Sequence, residues 1–252
     1  MSRIRDWNPG AYERFRDLRL RPAMDLLSAV GALPDGPCVD LGCGAGAAGA
    51  ALKERCTGRT LIGVDSSPAM LSKAQETGAY DRLVQADVSD WVPDDAPALI
   101  FSNAVLNWLS DHTTLLPRLA RLVAPGGWFA MQVPGQNDAP SHRLWRDLTG
   151  QSGVAGVLDP VEYADLLMPL GPVDVWETRY VQCLPASNQG HPVRRFTEST
   201  YGRQFLDSLD DAGRTALVAA YDAAIEAHYP TRADGTVLFP FRRVFAVLQQ
   251  GM

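Results

Sequence analysis

Between Cys38 and Gly46 the chain reads Cys-Val-Asp-Leu-Gly-Cys-Gly-Ala-Gly, a buried-strand run that falls directly into glycines at positions 42, 44 and 46. Glycine takes left-handed backbone angles freely, so the chain can turn sharply there and bring its backbone close to a ligand. Such a loop belongs at the end of a strand in an alternating strand–helix chain, and the flanking sequence supplies the alternation. Strands are predicted at 38–42, Thr60 to Asp65, Arg82 to Asp87, Ala98 to Asn103 and Trp128 to Val133. Between them lie helical patterns from Ala45 to Cys56, from Ser67-Pro68 to Thr77 and from Asp111 to Val123. Short apolar strands separated by helices dictate a parallel sheet covered on both faces.

The ends of the chain are different. Asn8-Pro9 reads as a cap and first helical residue, with Tyr12 and Phe15 on one face, and Arg21-Pro22 reads as a helix restart. In the second half, 137–170 reads as helix and loop, Val173 to Leu184 as a long strand, 188–235 as mostly helical and Arg242 to Gln249 as a last strand. The expected organisation is N-terminal helices and a cofactor-binding core over 1–136. A first cap insertion follows over 137–171, core strand six over 172–187, a second cap insertion over 188–238 and core strand seven over 239–252. The insertions are expected over the end of the sheet where open α/β folds bind ligands.

With 46% hydrophobic and 21% charged residues in 252, the chain can bury a sizeable core. A net charge of −6 disfavours nucleic acid and anionic membranes as partners. The N-terminus lacks the apolar run of a signal peptide and no segment has membrane-spanning length, so a cytoplasmic protein is expected; it is expected to be a monomer. Cys38, Cys43, Cys56 and Cys183 show no metal-ligand spacing and read as reduced core thiols.

Two registers of the glycine loop compete. Gly44-x-Gly46-x-x-Gly49 matches a dinucleotide fingerprint but starts two residues late for the strand end. Gly42-x-Gly44-x-Gly46 starts directly after it, with Asp40 just before the turn. An acid there is unsuited to a phosphate and suits a ligand with a cationic amino acid part, which points to S-adenosylmethionine. Asp65 can accept both hydroxyls of a ribose, a feature shared by either cofactor. Ser102-Asn103-Ala104 and Trp108 follow the fourth strand.

These motifs, taken with Trp7-Asn8-Pro9, Arg19-x-Arg21-Pro22, Gly63-Val64-Asp65-Ser66-Ser67-Pro68-Ala69-Met70, Ala86-Asp87, Phe101-x-Asn103-Ala104-x-Leu106 and Trp108-Leu109-x-Asp111-His112, resemble class I S-adenosylmethionine-dependent methyltransferases. Gln132-x-Pro134, Tyr229-Pro230 and Phe241-x-Arg243-x-Phe245 extend the resemblance, within that class, to the trans-aconitate 2-methyltransferase family. The resemblance implies a Rossmann-like sheet of seven strands, the last antiparallel. It implies a cofactor site of Tyr12, Arg21, Asp40, Gly42, Cys43, Gly44, Gly46, Asp65, Ser66, Met70, Asp87, Val88, Asn103, Ala104 and Trp108. In that site Asp87 takes the adenine amino group and Val88 lies against the ring. It implies methyl esterification of a small polycarboxylic acid such as trans-aconitate. Such a substrate calls for guanidinium clamps, and Arg203 and Arg243 stand first, accompanied by Trp108, His142 and Tyr201, with Arg194, Arg195 and Arg242 behind them. A carboxylate is already ionised at pH 7 and needs no general base, so Tyr12, Asn103 and Trp108 are positioning candidates only, and no metal is expected. Other acceptors remain open: a carrier-bound malonyl carboxylate, or a hydroxyl or amine of a secondary metabolite. So do two other classes, a nicotinamide-dependent oxidoreductase and a binding module without turnover.

Overall fold

The structure, a computed structural model, describes residues 16–152 and 156–251. Its elements run α1 (Arg16–Ser28), β1 (Cys38–Leu41), α2 (Gly49–Arg55), β2 (Leu61–Asp65), α3 (Pro68–Glu76), β3 (Arg82–Gln85) and β4 (Leu99–Asn103). They continue with a 3₁₀ turn (Leu106–Trp108), α4 (His112–Ala120), β5 (Trp128–Pro134), α5 (Pro140–Thr149), α6 (Pro160–Leu167), β6 (Val173–Leu184), α7 (Pro192–Thr197), α8 (Arg203–Leu206), α9 (Asp211–Ile225) and β7 (Val237–Gln249). The seven strands form one sheet in the order β3-β2-β1-β4-β5-β7-β6. The first five pair in parallel, with Val39 opposite both Ile62 and Ile100, and Phe101 opposite Ala130. β7 runs against its neighbours: Gly126 and Gly127 meet Gln250 while Gly135 meets Arg242, and Gln249 meets Pro172 while Gly251 meets Leu170. The expected seven-stranded sheet with an antiparallel last strand is the observed one.

The chain divides into two compact units. The first holds the described residues up to Pro134, Gly156–Glu177 and those from Val244 onward; the second holds Gly135–Ala155 and Thr178–Arg243. In the first unit β1 and β4 are buried along nearly their whole length, as central parallel strands covered on both faces must be. In the second, Trp145 of α5 stacks on Tyr221 of α9 at 4.1 Å between ring centres, and its indole N–H donates to Thr197 Oγ1 at 3.1 Å. Burying such rings removes much apolar area from water while the polar handles stay paired.

Several boundaries differ from the sequence reading, each for a physical reason. The helix expected from Ala45 begins at Gly49, because Gly42, Gly44 and Gly46 all have positive φ and keep the chain out of the helical region until then. Arg21-Pro22 restarts nothing: α1 is continuous through Pro22. α6, expected within a cap insertion, packs in the sheet unit through Tyr163, whose hydroxyl meets buried His112 Nδ1 at 2.7 Å. β7 begins at Val237 rather than Arg242; Pro240 falls on an exposed position of the in–out alternation, where its missing N–H is tolerated. Cys183 lies exposed on β6, not in the core with the other three thiols. Asn8-Pro9 and Tyr12 lie outside the described residues, and among those described no helix is long and apolar enough to cross a membrane.

Candidate functional site

The glycine loop leaves β1 at Gly42 with φ +78°, then turns again at Gly44 (φ +53°) and Gly46 (φ +79°). Gly42 is therefore the first glycine of the motif, and Gly49 of the competing register is simply the first residue of α2. A Cβ on Gly42 would lie 2.3 Å from Val105 Cγ2, so the loop is pressed against the β4–α4 connection. A Cβ on Gly44 would meet nothing within 4 Å, so this backbone faces open space. The Gly44 N–H donates to Asp65 Oδ2 at 2.9 Å, and the Ser67 N–H donates to Asp65 Oδ1 at 2.9 Å. Asp65 thus ties the glycine loop to the start of α3, where Ser67 accepts from the Met70 N–H and Pro68 holds the first helical position.

Asp40 is only 3% exposed. Burial is the main reason its carboxyl is pushed up to about 7; the Tyr80 hydroxyl, donating at 2.6 Å, pulls the other way, and the nearby Asp65 carboxylate adds to the rise. After β3, Asp87 Oδ1 accepts from the Ser89 N–H at 2.8 Å and Val88 is buried. Arg118 of α4 clamps this segment, donating to the carbonyls of Val88, Ser89 and Trp91. After β4, Ala104 takes φ +58°, an unusual conformation for a residue with a Cβ, and its N–H donates to Gln132 O. The buried Oδ1 atoms of Asn103 and Asn107 find no hydrogen-bond partner among the described residues. His112 holds the 3₁₀ turn containing Asn107 and Trp108. Its Nε2–H donates to Leu106 O at 2.7 Å, leaving Nδ1 to accept from Tyr163, whose oxygen accepts the Leu158 N–H. Burial lowers the His112 pKa, consistent with a neutral ring in that chain.

S-adenosylmethionine is a ligand that this set of residues can hold. Orphaned acceptors at Asn103 and Asn107, a buried acid at Asp40 and an open backbone at Gly44 suit a cationic amino acid ligand that approaches the loop closely. Asp65 has two carboxylate oxygens whose remaining lone pairs can take hydroxyls. The residues fit. Cys43 and Met70 are buried beside the loop and at α3, whereas Ser66 and Arg21 are exposed.

The second unit gathers its own set. His142 on α5 is buried, its ring tilted against that of Tyr201 at 4.3 Å between centres and 6.2 Å from the Phe241 ring. Its pKa is driven down to about 3 by burial first, then by the guanidiniums of Arg146 and Arg243. Arg146 donates to the Tyr201 hydroxyl at 3.0 Å and to Asn137 O at 2.7 Å. Arg243 is 3% exposed, its guanidinium carbon 4.4 Å from the Phe241 ring centre. Of the expected clamps, Arg243, His142 and Tyr201 come together here. Arg203 stands on α8 in an ion pair with Asp207 at 3.0 Å. Arg194 is committed to Asp222 and Glu198, and Arg195 to Glu198. Arg242 contributes its backbone N–H to Gln136 Oε1. Sequence reading missed Tyr80, Arg118 and Arg146; an aromatic or arginine at helical spacing carries no local mark of a partner tens of residues away.

The strand order, the antiparallel last strand and the glycine loop on β1 define a class I methyltransferase. The family described as methyltransferase domain matches residues 12–208. The chain is 41% identical to the trans-aconitate 2-methyltransferase of Methylobacterium radiotolerans, over 97% of this chain and 98% of that protein. It belongs to this family of methyltransferases. Among solved structures, YcgJ of Bacillus subtilis superposes with a TM-score of 0.60 at 16% identity, covering 92% of this chain and 99% of that one. An S-adenosylmethionine-dependent methyltransferase from Thiobacillus denitrificans, solved with S-adenosylhomocysteine, gives 0.53 at 18% identity, covering 91% of each chain.

Proposed function

We propose that this protein uses S-adenosylmethionine to form a methyl ester on a carboxylate of a small polycarboxylic acid, trans-aconitate being the first candidate. The observation that carries the acceptor reading is the pairing of Arg146 and Arg243 around a neutral, buried His142. A guanidinium fork matches a carboxylate bidentately, and the adjoining Tyr201 hydroxyl and Ser141 Oγ, 3.1 Å from His142 Nδ1, add neutral polar partners. Full-length likeness to the trans-aconitate 2-methyltransferase of M. radiotolerans supports the same substrate class.

When bound, the cofactor supplies an electrophilic methyl: a carboxylate oxygen forms the new O–C bond as the C–S bond breaks, its electron pair staying on sulfur, with no proton transferred. The chain's residues have positioning work to do. Asp40, Asn103 and Asn107 offer acceptors to the cationic end, Asp65 to the ribose, and Asp87 with Val88 to the base. Arg146 and Arg243 hold the acceptor's spare carboxylates, so that orientation and water exclusion supply the rate. The protein works as a cytoplasmic monomer in this reading.

The test is transfer of labelled methyl from S-adenosylmethionine to a panel of di- and tricarboxylic acids, with the product checked for alkaline lability as an ester. Labelling of trans-aconitate or a close relative is expected. No labelling across the panel, with turnover on a hydroxyl or amine acceptor, would overturn it.

A further inference from the structure

Tyr80 lies in the connection between α3 and β3, forty residues from Asp40 in sequence. Its hydroxyl donates to Asp40 Oδ2 at 2.6 Å. Its ring forms the floor on which the glycine loop rests: Cβ atoms built on Gly46, Gly49 and Gly63 would come within 3.0, 2.9 and 2.9 Å of it. Three glycines from the loop, α2 and β2 thus make room for one phenol. A buried carboxylate has few ways to be held in one orientation, and a single short hydrogen bond from a ring wedged by backbone is one of them.

We infer that Tyr80 is a positioning residue for cofactor binding, fixing the Asp40 carboxylate and favouring its ionised form so that it can receive the cation of the cofactor. The inference rests on the reading of Asp40 as a cofactor contact. Among the described residues, the titratable groups facing Asp40 are Tyr80, the Asp65 carboxylate at the end of β2 and the Cys43 thiol in the loop. Only Tyr80 favours the ionised acid; Asp65 opposes it, and burial holds the thiol neutral. With Asp40 titrating near 7, cofactor affinity rises with pH through neutrality, because the cation binds the ionised acid. Removing the donor raises the Asp40 pKa further and moves that rise to higher pH.

The experiment is calorimetric binding of S-adenosylhomocysteine, whose α-amino group provides the cation, to the wild-type chain and to Tyr80→Phe from pH 5.5 to 8.5, with thermal unfolding measured alongside. Phe keeps the ring beneath the glycines and deletes only the hydroxyl. Wild-type affinity is expected to fall by up to about tenfold per pH unit below the midpoint. The variant's midpoint is expected to shift upward, with its fold deficit in affinity largest below pH 7, where both acids are mostly protonated, and shrinking toward pH 8.5. A uniform loss at every pH would reduce Tyr80 to a structural residue and overturn the inference, as would an unmoved midpoint. Wild-type binding that is independent of pH would also overturn it. A wild-type chain that binds no S-adenosylhomocysteine at any pH would instead refute the cofactor site itself, and the inference with it.

Discussion

Asp40 in the sheet unit and His142 in the second unit are both buried ionisable groups, and they are built in opposite ways. Asp40 has an acid beside it and a phenol for a partner; His142 has two arginines beside it and a tilted tyrosine ring next to it. Each environment pushes its group toward neutrality, the acid up to about 7 and the base down to about 3. What the difference teaches is the sign of the expected ligand. A buried acid with no neighbouring cation among the described residues suits a cation, and a neutral histidine beside two guanidiniums suits an anion.

The comparison breaks hardest at the loop beneath Asp40. Gly42→Ala adds a Cβ where φ is +78° and Val105 lies 2.3 Å away. A left-handed conformation costs about 1–2 kcal/mol and overpacking about 1–3 kcal/mol more, so denaturation should show a loss of several kcal/mol together with cofactor binding. Gly44→Ala, with open space around it, should cost far less stability yet weaken S-adenosylhomocysteine binding strongly in calorimetry.

Next comes the acid itself. Asp40→Asn should weaken cofactor affinity about 10- to 100-fold at pH 8, the scale of a lost charged hydrogen bond. The protein without cofactor should gain about 1–3 kcal/mol at that pH, because an ionised buried carboxylate no longer has to be accommodated. Stability and binding moving in opposite directions would mark Asp40 as a functional burden on the fold. Arg146→Met in the second unit should raise the acceptor KM about tenfold or more while leaving S-adenosylhomocysteine affinity within about twofold of wild type. A matching loss of cofactor affinity would dissolve the division of labour between the units.

A subtler pair of experiments uses pH. An acid with a raised folded pKa binds its proton more tightly when folded, so Asp40 makes stability fall as pH climbs from about 4 to about 7. A histidine with a depressed folded pKa leaves the unfolded chain holding the extra proton, so His142 makes stability fall as pH drops from about 6.5 toward 3. Between pH 4 and 6.5 the two slopes oppose, each on the order of 1 kcal/mol per pH unit. Asp40→Asn should therefore steepen the acid-side loss seen in chemical denaturation, and His142→Gln should flatten it. Tyr163→Phe strips one partner from both His112 and the Leu158 N–H and should cost about 1–3 kcal/mol in denaturation with little change in the acceptor KM.

Local chemistry was legible in the sequence. The strand-to-glycine run, the Ser67-Pro68 cap and Asp65 at a strand end each state their geometry within a few residues, and the sheet follows from their spacing. Pairings across the chain were not legible. Nothing near Tyr80 announces Asp40, nothing near Arg146 announces Tyr201, and α6 reads as part of an insertion until Tyr163 is seen on His112. Arginines were countable but not separable: Arg194 and Arg243 are both about 4% exposed, yet the first is spent on Asp222 and Glu198 while the second lies against Phe241 beside His142. Burial alone did not distinguish them; their neighbours did.

The four cysteines carry a consequence of another kind. Cys183 stands on the outside of β6, while Cys38, Cys43 and Cys56 are shut inside the β1–α2 region. A thiol reagent added to the native protein meets one fast site and three slow ones. The slow sites react as the β1–α2 region opens locally, so the rate at which they are labelled keeps time for that opening. The chain thus carries its own clock for the stability of the strand that ends in the glycine loop, and any ligand that settles on that loop should slow it.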